Sequence, residues 1–506
     1  MTQWTLKTST TLAALLAGTA AFADITPEEV WQNWQDTSAS YGQTVTATSE
    51  TRDGDTLTVE GLSVVLDQEE GGFTLTIDEV NFTDNGDGTV EITMSDRFPV
   101  TMAVPGEDGE GPTDLTIVVS QPGLAITVGG TSDEASYDFE APTVNIKLES
   151  IDGVDADAVD VTADITMTAM TGNYLVSGPA DGKSIDTAFG AQSMAMTLLA
   201  KDPEEQSDVR VVATLADLAG TSSSSFAGMD LMATNMADAL KAGFATTATV
   251  TNGAMQFDLD VTEAVGPTKV SATSGGGGLS LSLDAAGLTY GFDGKATELT
   301  MSGAEIPFPE LRMNYSEIAF NLMMPLLASA EPTDFTYLMR IVDLAVSDEL
   351  WAMFDPTGTL PRDPATVIVD TKGKVRLTTD LVDEAAMATL GEAPPGELHA
   401  FDLTELRAKV AGAELTGSGA LTFDNSDLVK FGGMPVPTGK VDLKLVGGNG
   451  LLDKLVTMGL VTADDVMGAR MMLSMFANAG AGEDELTSTL EFKDKGFYAN
   501  GQPIMP

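Results

Sequence analysis

Apolar and polar residues alternate along much of the chain. "LTVEGLSVVL" (57–66), "GFTLTIDEVNFT" (72–83) and "TVEITM" (89–94) follow this pattern, with turns rich in Gly, Asp and Asn between them. In the second run Phe73, Leu75 and Ile77 share one face, and Thr74, Thr76 and Asp78 share the other. A two-residue repeat of this kind predicts half-buried antiparallel strands. It recurs in "DLTIVVSQPGLAITVGG", "TVNIKLESI", "DVTADITMTAM", "DVRVVATLADL", "AMQFDLDV" and "LSLSLDAAGLTYGF". Many strands at short spacing predict a long meander rather than alternating strands and helices. Ser222 to Ser225 and Gly275 to Gly278 read as flexible punctuation, a linker or a wide turn. The glycine run lacks the Gly-Lys-Ser/Thr ending and the following helix that a phosphate loop needs.

Helical signals interrupt the alternation. "DITPEEVWQNWQ" offers Thr26 as a cap, Pro27 in the first turn and Glu28 and Glu29 near the positive helix end, so Trp31 to Tyr41 is expected to be an amphipathic helix. "FAGMDLMATNMADALKAGF" suggests a short helix between strands. "PELRMNYSEIAFNLMMPLLAS" starts as a strand and continues as an apolar helix. In "EPTDFTYLMRIVDLAVSDELWAMFDP", Leu338, Ile341, Val342, Val346 and Leu350 recur at helical spacing before Pro356. A second β region begins near Pro364. It is followed by two helices in "NGLLDKLVTMGLVTADDVMGARMMLSMFANAG", the second capped by Thr462, and the chain closes on strand, turn and strand.

The expected class is therefore mainly β with helical cover (α+β): long antiparallel sheets, or an elongated β groove, packed by helices near 311–355 and 450–478. The regions are an N-terminal β-rich part (24–310), a helical segment (311–363) and a C-terminal β-rich part with a helical pair (364–506). The two halves share a weak symmetry, each combining sheet with helical cover. Periodicity leaves one elongated sheet and two sandwiches equally open.

The N-terminus changes the setting. "TLAALLAGTAAFADI" (11–25) is too short to span a membrane, follows Lys7 and ends in Ala21-Phe22-Ala23. We expect a signal peptide (1–23) cleaved after Ala23, and a soluble periplasmic protein. No later run reaches spanning length; Asn321 and Pro325 interrupt Ile318 to Ala330. The formal charge of −51 argues against nucleic acid, whose phosphates need Lys and Arg, and disfavours an anionic membrane face. It also fits adaptation to salt or contact with cations. Cysteine is absent, so disulfides and thiolate chemistry are excluded, and the single histidine, His399, excludes sites built from two.

Candidate chemistry is sparse. "DNGDGTVE" (84–91) resembles a calcium loop, but Gly86 and Gly88 fall where ligands belong, and a hairpin turn is the simpler reading. Asp152, Asp155, Asp157 and Asp160 could gather a cation, although a solvated loop explains them as well. Whether a metal binds is left open, and no cofactor is expected. His399 and Asp402, three apart, would face opposite sides of a strand, and no nucleophile is marked. Among 76 acidic residues, carboxylates adjacent in sequence carry no glycosidase signal. Methionine, by contrast, clusters in "LRMNYSEIAFNLMMPLL" and "MGARMMLSMF", and it suits adaptable apolar surfaces. The candidate apolar-ligand surface is Phe320, Leu322, Met323, Met324, Leu326, Met471, Met472, Met475 and Phe476; a plain helix-on-sheet core is the competing explanation.

"LPRDPATVIVDTKGKVRL" (360–377), "GSGALTFDNSD" (417–427), "PVPTGKVDLKLVGGNGLLDKLVTMGLV" (435–461) and "GFYANGQPI" (496–504) resemble an uncharacterised alphaproteobacterial family of exported β-rich proteins, known only as a domain of unknown function. That family is loosely similar to envelope proteins with AsmA-like repeats, which are associated with outer-membrane assembly and lipid movement. The resemblance brings no catalytic residues. The expected cleavage after Ala23 sets this chain apart from those proteins, whose N-terminal anchor is retained. The leading expectation is a non-enzymatic periplasmic envelope protein binding a lipid or other apolar ligand. The alternatives are a structural or protein-interaction module with a solvated acidic surface and, as a minor one, a hydrolase.

Overall fold

The computed structural model describes residues 25–505 apart from 68–71, 105–112, 153–159, 179–181, 203–205, 233 and 392. The expected signal peptide, Asp155 and Asp157 lie outside these residues. The strands are β1 (Thr44–Thr46), β2 (Ser49–Asp53), β3 (Thr56–Leu66), β4 (Gly72–Asp84), β5 (Val90–Met94), β6 (Arg97–Val104), β7 (Thr113–Ser120), β8 (Ala125–Thr131) and β9 (Glu134–Ile151). They continue with β10 (Asp160–Ser177), β11 (Ser184–Asp202), β12 (Ser207–Ser225), β13 (Ala245–Asn252), β14 (Met255–Glu263), β15 (Gly266–Ser274), β16 (Gly276–Asp284), β17 (Gly287–Gly303), β18 (Leu311–Met324) and β19 (Thr333–Val346). The last are β20 (Ala365–Leu377), β21 (Gly396–Val410), β22 (Ala413–Asp424), β23 (Val436–Val446), β24 (Asn478–Ala479), β25 (Glu485–Lys493), β26 (Gly496–Ala499) and β27 (Gln502–Met505). Helices are α1 (Pro27–Ser40), α2 (Met236–Ala242), α3 (Asp348–Phe354), α4 (Glu384–Leu390), α5 (Gly448–Thr457) and α6 (Ala463–Phe476).

The mainly β class with long antiparallel sheet holds. Among the described residues, all 27 strands join one sheet. Pairing continues unbroken through β17, β18, β19, β20 and β21, so of the two arrangements that periodicity left open the strands form one elongated sheet. A topological unit occurs twice. The two ends of β4 pair with β5 and β6, these with β8 and β7, and both rejoin along β9. The two ends of β12 pair with β13 and β14, these with β16 and β15, and both rejoin along β17.

A crease runs across the strands. Ala169 of β10, Asp217 of β12, Ala296 of β17 and Asp343 of β19 all have positive φ, the mark of a bulge inside a long strand. Their positions align. Gly253 N–H donates to the Ala216 carbonyl at 2.8 Å, and Gly275 N–H to the Lys295 carbonyl at 2.8 Å. The Ser316 hydroxyl lies 3.1 Å from an Asp343 carboxylate oxygen, and Asp343 N–H donates to the Thr366 hydroxyl at 3.2 Å. Each bulge shifts the side-chain alternation by one residue. On β17 the apolar face carries Tyr290 and Phe292 before the crease, and Leu299 and Met301 after it.

That slip explains the main correction. Of the helical cover expected near 311–355, 311–324 and 333–346 are instead β18 and β19, and only α3 is helical. On β19, Leu338 and Val342 face one way and Ile341 the other, and the bulge at Asp343 then returns Val346 to the side of Ile341. Apolar residues on both faces plus one extra residue imitate helical spacing. The β-branched and aromatic content of "TDFTYLMRIV" favours the strand. Two loop readings also give way. Ser222 to Ser225 end β12, with Ser224 hydrogen-bonded to Thr246 at 3.1 Å. Gly276 to Gly278 begin β16, where a Cβ on Gly277 would sit 2.4 Å from the Asp293 carbonyl oxygen.

Alanine pays a steric penalty at positive φ that glycine avoids. Ala296→Gly is therefore expected to stabilise the fold by up to about 1 kcal/mol after the added chain entropy of glycine, and so to raise the unfolding midpoint. A lowered midpoint in thermal melts would count against a strained crease.

The helices at both ends form as expected. Thr26 and Glu29 make a reciprocal capping box on α1, and Thr462 and Asp465 make one on α6. α5 and α6 account for the expected pair near 450–478. α1 lies in the main core, where Val30 and Trp31 are buried with Val59, Phe82, Ile92, Val128 and Tyr137. The Phe82 ring is 6.0 Å from Trp31 and 5.3 Å from Trp34.

Candidate functional site

Cross-strand partners in an antiparallel sheet point to the same face. Following partners from strand to strand therefore sorts the side chains of this sheet by face. One row runs Val250, Leu279, Phe292, Phe320, Met339 and Val369, from β13 to β20. Beside it runs Ala248, Leu281, Tyr290, Leu322 and Tyr337. Beyond the crease a third row runs Met196, Ala213, Phe257, Ala272, Leu299 and Met313. The opposite face carries polar rows such as Thr214, Gln256, Thr273, Glu298 and Asn314. It also carries the Arg210–Asp260–Lys269 ion pairs.

The apolar face is folded into a trough by the crease. Near β14–β18 the two sides meet in a cavity of about 410 Å³, lined by Val250, Leu279 and Phe292 from one side and Met255, Thr297 and Tyr315 from the other. At the N-terminal end the trough curls over α1. Leu62 and Val64 of β3 share a cavity of about 370 Å³ with Tyr174 of β10 and Ile185 of β11, strands up to six pairing steps away. Here α1 covers the trough, with Trp31 and Trp34 lining that cavity, while Tyr137 stacks on Tyr174 at 4.3 Å and donates its hydroxyl proton to Asn33 Oδ1 at 3.2 Å. Burial pushes both tyrosine hydroxyls far above the usual phenol range, so they stay protonated.

Farther along, the apolar face is uncovered. Val250, Leu279, Leu281, Tyr290 and Phe292 are 37–47% exposed and are neighbours in register. Phe292 stacks on Phe320 at 5.7 Å, and Phe320 meets Tyr337 edge-on at 5.7 Å. Contiguous exposed apolar surface of this kind marks a binding site more often than a defect of packing.

One rim is walled by α2. Leu240 and Phe244 pack with Leu283, Leu288, Met324 and Leu326. Asp380 anchors this wall, accepting from Lys241 Nζ at 2.6 Å and from Ala328 N–H at 2.7 Å. Burial works to raise the Asp380 pKa, but these donors outweigh it and hold the carboxyl below the usual aspartate range. A lowered native value means that the anchor contributes fully above the unfolded aspartate pKa and is lost as the pH falls through the native one. Asp380→Asn is expected to cost about 1 kcal/mol or less, given the half-exposed lysine, and to speed amide exchange in α2. Unchanged exchange would remove Asp380 from this role.

The sequence-derived surface is thus divided. Phe320 and Leu322 line the open trough, and Met324 and Leu326 lie beneath α2. Met323 points to the polar face between Thr289 and Thr336. Met471, Met472 and Met475 are exposed on α6, and Phe476 approaches Phe497 at 6.5 Å on β26, seven pairing steps from β18. The two methionine-rich stretches do not form one patch. Sequence reading identified "LSLSLDAAGLTYGF" as strand but missed Leu279, Leu281, Tyr290 and Phe292 as a binding surface.

Other candidates resolve locally. Asp84 and Asp87 accept from Gly86 and Thr89 N–H at 2.8 and 3.1 Å, which makes the 84–90 segment the expected hairpin turn. Among the described residues no cluster of three or more His, Asp or Glu side chains is arranged to hold a metal ion. His399 Nε2 lies 3.4 Å from Glu397, which Arg376 already holds at 2.7 Å. No helix among the described residues is long and apolar enough to cross a membrane.

Residues 261–506 match a family model described as "Uncharacterized protein conserved in bacteria (DUF2125)". The match covers the trough from β15 onward. Neither the curated proteins nor the solved structures provide a match.

Proposed function

We propose that this chain is an exported, non-catalytic protein of the cell envelope that holds the acyl chains of a lipid along the open trough. The observation that carries the reading is the contiguous set of half-exposed apolar side chains from Val250 to Phe292 on a face whose backbone is fully paired. Its dimensions suit the cargo. The five pairing steps of the apolar row from β13 to β20, at about 4.8 Å each, give roughly 24 Å of trough. An acyl chain filling one leaflet extends about 15 Å, half of the bilayer's hydrocarbon core. The signal-like N-terminus and the resemblance to exported proteins with AsmA-like relatives support the envelope setting.

The section that α1 covers favours a second reading, a scaffold whose remaining apolar face is covered by a protein partner. Hydrolysis gains no support, because the trough rows bring no carboxylates together. Native mass spectrometry of protein purified from its own cells, with organic extraction in parallel, separates the first two. A stoichiometric lipid released on denaturation supports the carrier, whereas a clean apo mass and an empty extract favour the scaffold.

A further inference from the structure

We propose that the trough selects lipids whose head group carries no net negative charge and rejects anionic lipids bearing the same chains. The proposal rests on the acyl-chain reading above. Its first ground is the lining. The rows from β12 to β19 supply aliphatic, aromatic and small residues, and the polar side chains among them are neutral: Asn252, Ser274, Thr297 and Tyr315 near the crease, Ser222, Ser224 and Thr246 toward the α2 rim, and Thr268 toward the other. No lysine or arginine stands in these rows to neutralise a phosphate or carboxylate. Neutral hydroxyls suit esters and alcohols, and an unpaired anion brought against apolar walls loses its hydration without compensation.

The second ground is the rims, where a head group would sit. The bases there are already engaged, Lys241 with Asp380 on one side and Arg362 with Asp348 on the other, and Arg312 and Lys374 on the opposite face are paired as well, with Glu298 and Glu310 and with Asp334. Exposed carboxylates stand where strands end and connections begin at both rims, Asp230 and Glu331 on one side and Glu263 and Glu305 on the other. The chain as a whole carries −51. An anionic head at the rim meets repulsion from near and far, while a zwitterionic or uncharged head does not. Because screening acts within about 8 Å at physiological salt, the near carboxylates dominate.

The test uses the delipidated protein and vesicles carrying matched-chain phosphatidylcholine, diacylglycerol or phosphatidylglycerol. Lipid bound to protein is quantified after the vesicles are removed. At low salt, phosphatidylcholine and diacylglycerol are expected to load about tenfold over phosphatidylglycerol, with the gap closing near 1 M salt, where screening acts within about 3 Å. The combined Glu263→Lys, Glu305→Lys and Glu331→Lys variant is expected to admit phosphatidylglycerol while loading phosphatidylcholine unchanged. Equal, salt-insensitive loading of all three lipids would overturn the selectivity and leave the acyl-chain reading standing. If no lipid loads, both fail.

Discussion

A single aspartate at Leu279 or Phe292 is expected to empty the trough without unfolding it. Both side chains lie on the open stretch, 47% and 38% exposed, so a carboxylate there can reach water in the free protein. Substitutions at such positions usually cost little stability, about 0.5 kcal/mol. A bound acyl chain changes the situation, because it covers the same atoms and would bury the charge against hydrocarbon, at a cost of several kcal/mol. Loss of apolar ligand by tenfold or more follows, with the unfolding midpoint nearly unmoved. Phe292→Asp should have the larger effect, since it also removes the ring stacked on Phe320. The measurements are lipid recovered per protein and displacement of an apolar fluorophore. Full retention of lipid by both variants would place the ligand elsewhere or remove it from the account. Thr249→Asp serves as the control: it lies beside Val250 in sequence but in the polar row with Thr221 and Ser280, and should bind normally.

Much of the sheet was legible in the sequence because most strands keep a strict two-residue repeat, as "GFTLTIDEVNFT" does across Phe73, Leu75 and Ile77. The ends of α1 and α6 were legible because a Thr cap and an acid three residues later satisfy the first backbone N–H groups locally. What escaped sits on the crease. A bulge such as Asp343 reverses which parity faces inward, so β19 carries a helix-like pattern although every segment of it is extended. The glycines at 276–278 read as a linker because their purpose, close approach of β16 to β13 and β17, exists only in the folded sheet. The open trough was half legible. Phe320 and Leu322 were singled out by composition, but whether an apolar strand face is covered depends on which helix returns to it. α1 and α2 cover the ends of some rows and leave Leu279 and Phe292 bare.

The largest loss of stability is expected from Phe82→Ala. This ring is fully buried between the two tryptophans of α1 and the strands beneath them, and a cavity of that size in a close-packed core costs about 3–5 kcal/mol. The loss should be local in its first consequence. α1 has 14 residues, a length at which an isolated helix is marginal in water, so it depends on the packing that Phe82 anchors. Once α1 loosens, the rows it covers, including Leu57, Ile92 and Ile126, become an extension of the open trough. Two signals should therefore move in opposite directions. The urea midpoint followed by the fluorescence of Trp31 and Trp34 falls, and apolar dye bound per protein below that midpoint rises. In protein that starts at Asp24, and so lacks Trp4, the other tryptophan outside this core is Trp351 on α3, and replacing it by Phe in the background isolates the α1 signal. An unfolding free energy within about 1 kcal/mol of the parent's would mean that α1 is held by something other than Phe82. A lower midpoint without added dye would mean that the covered end of the trough collapses rather than opens, and the apolar face would then be a site only where the structure already leaves it bare.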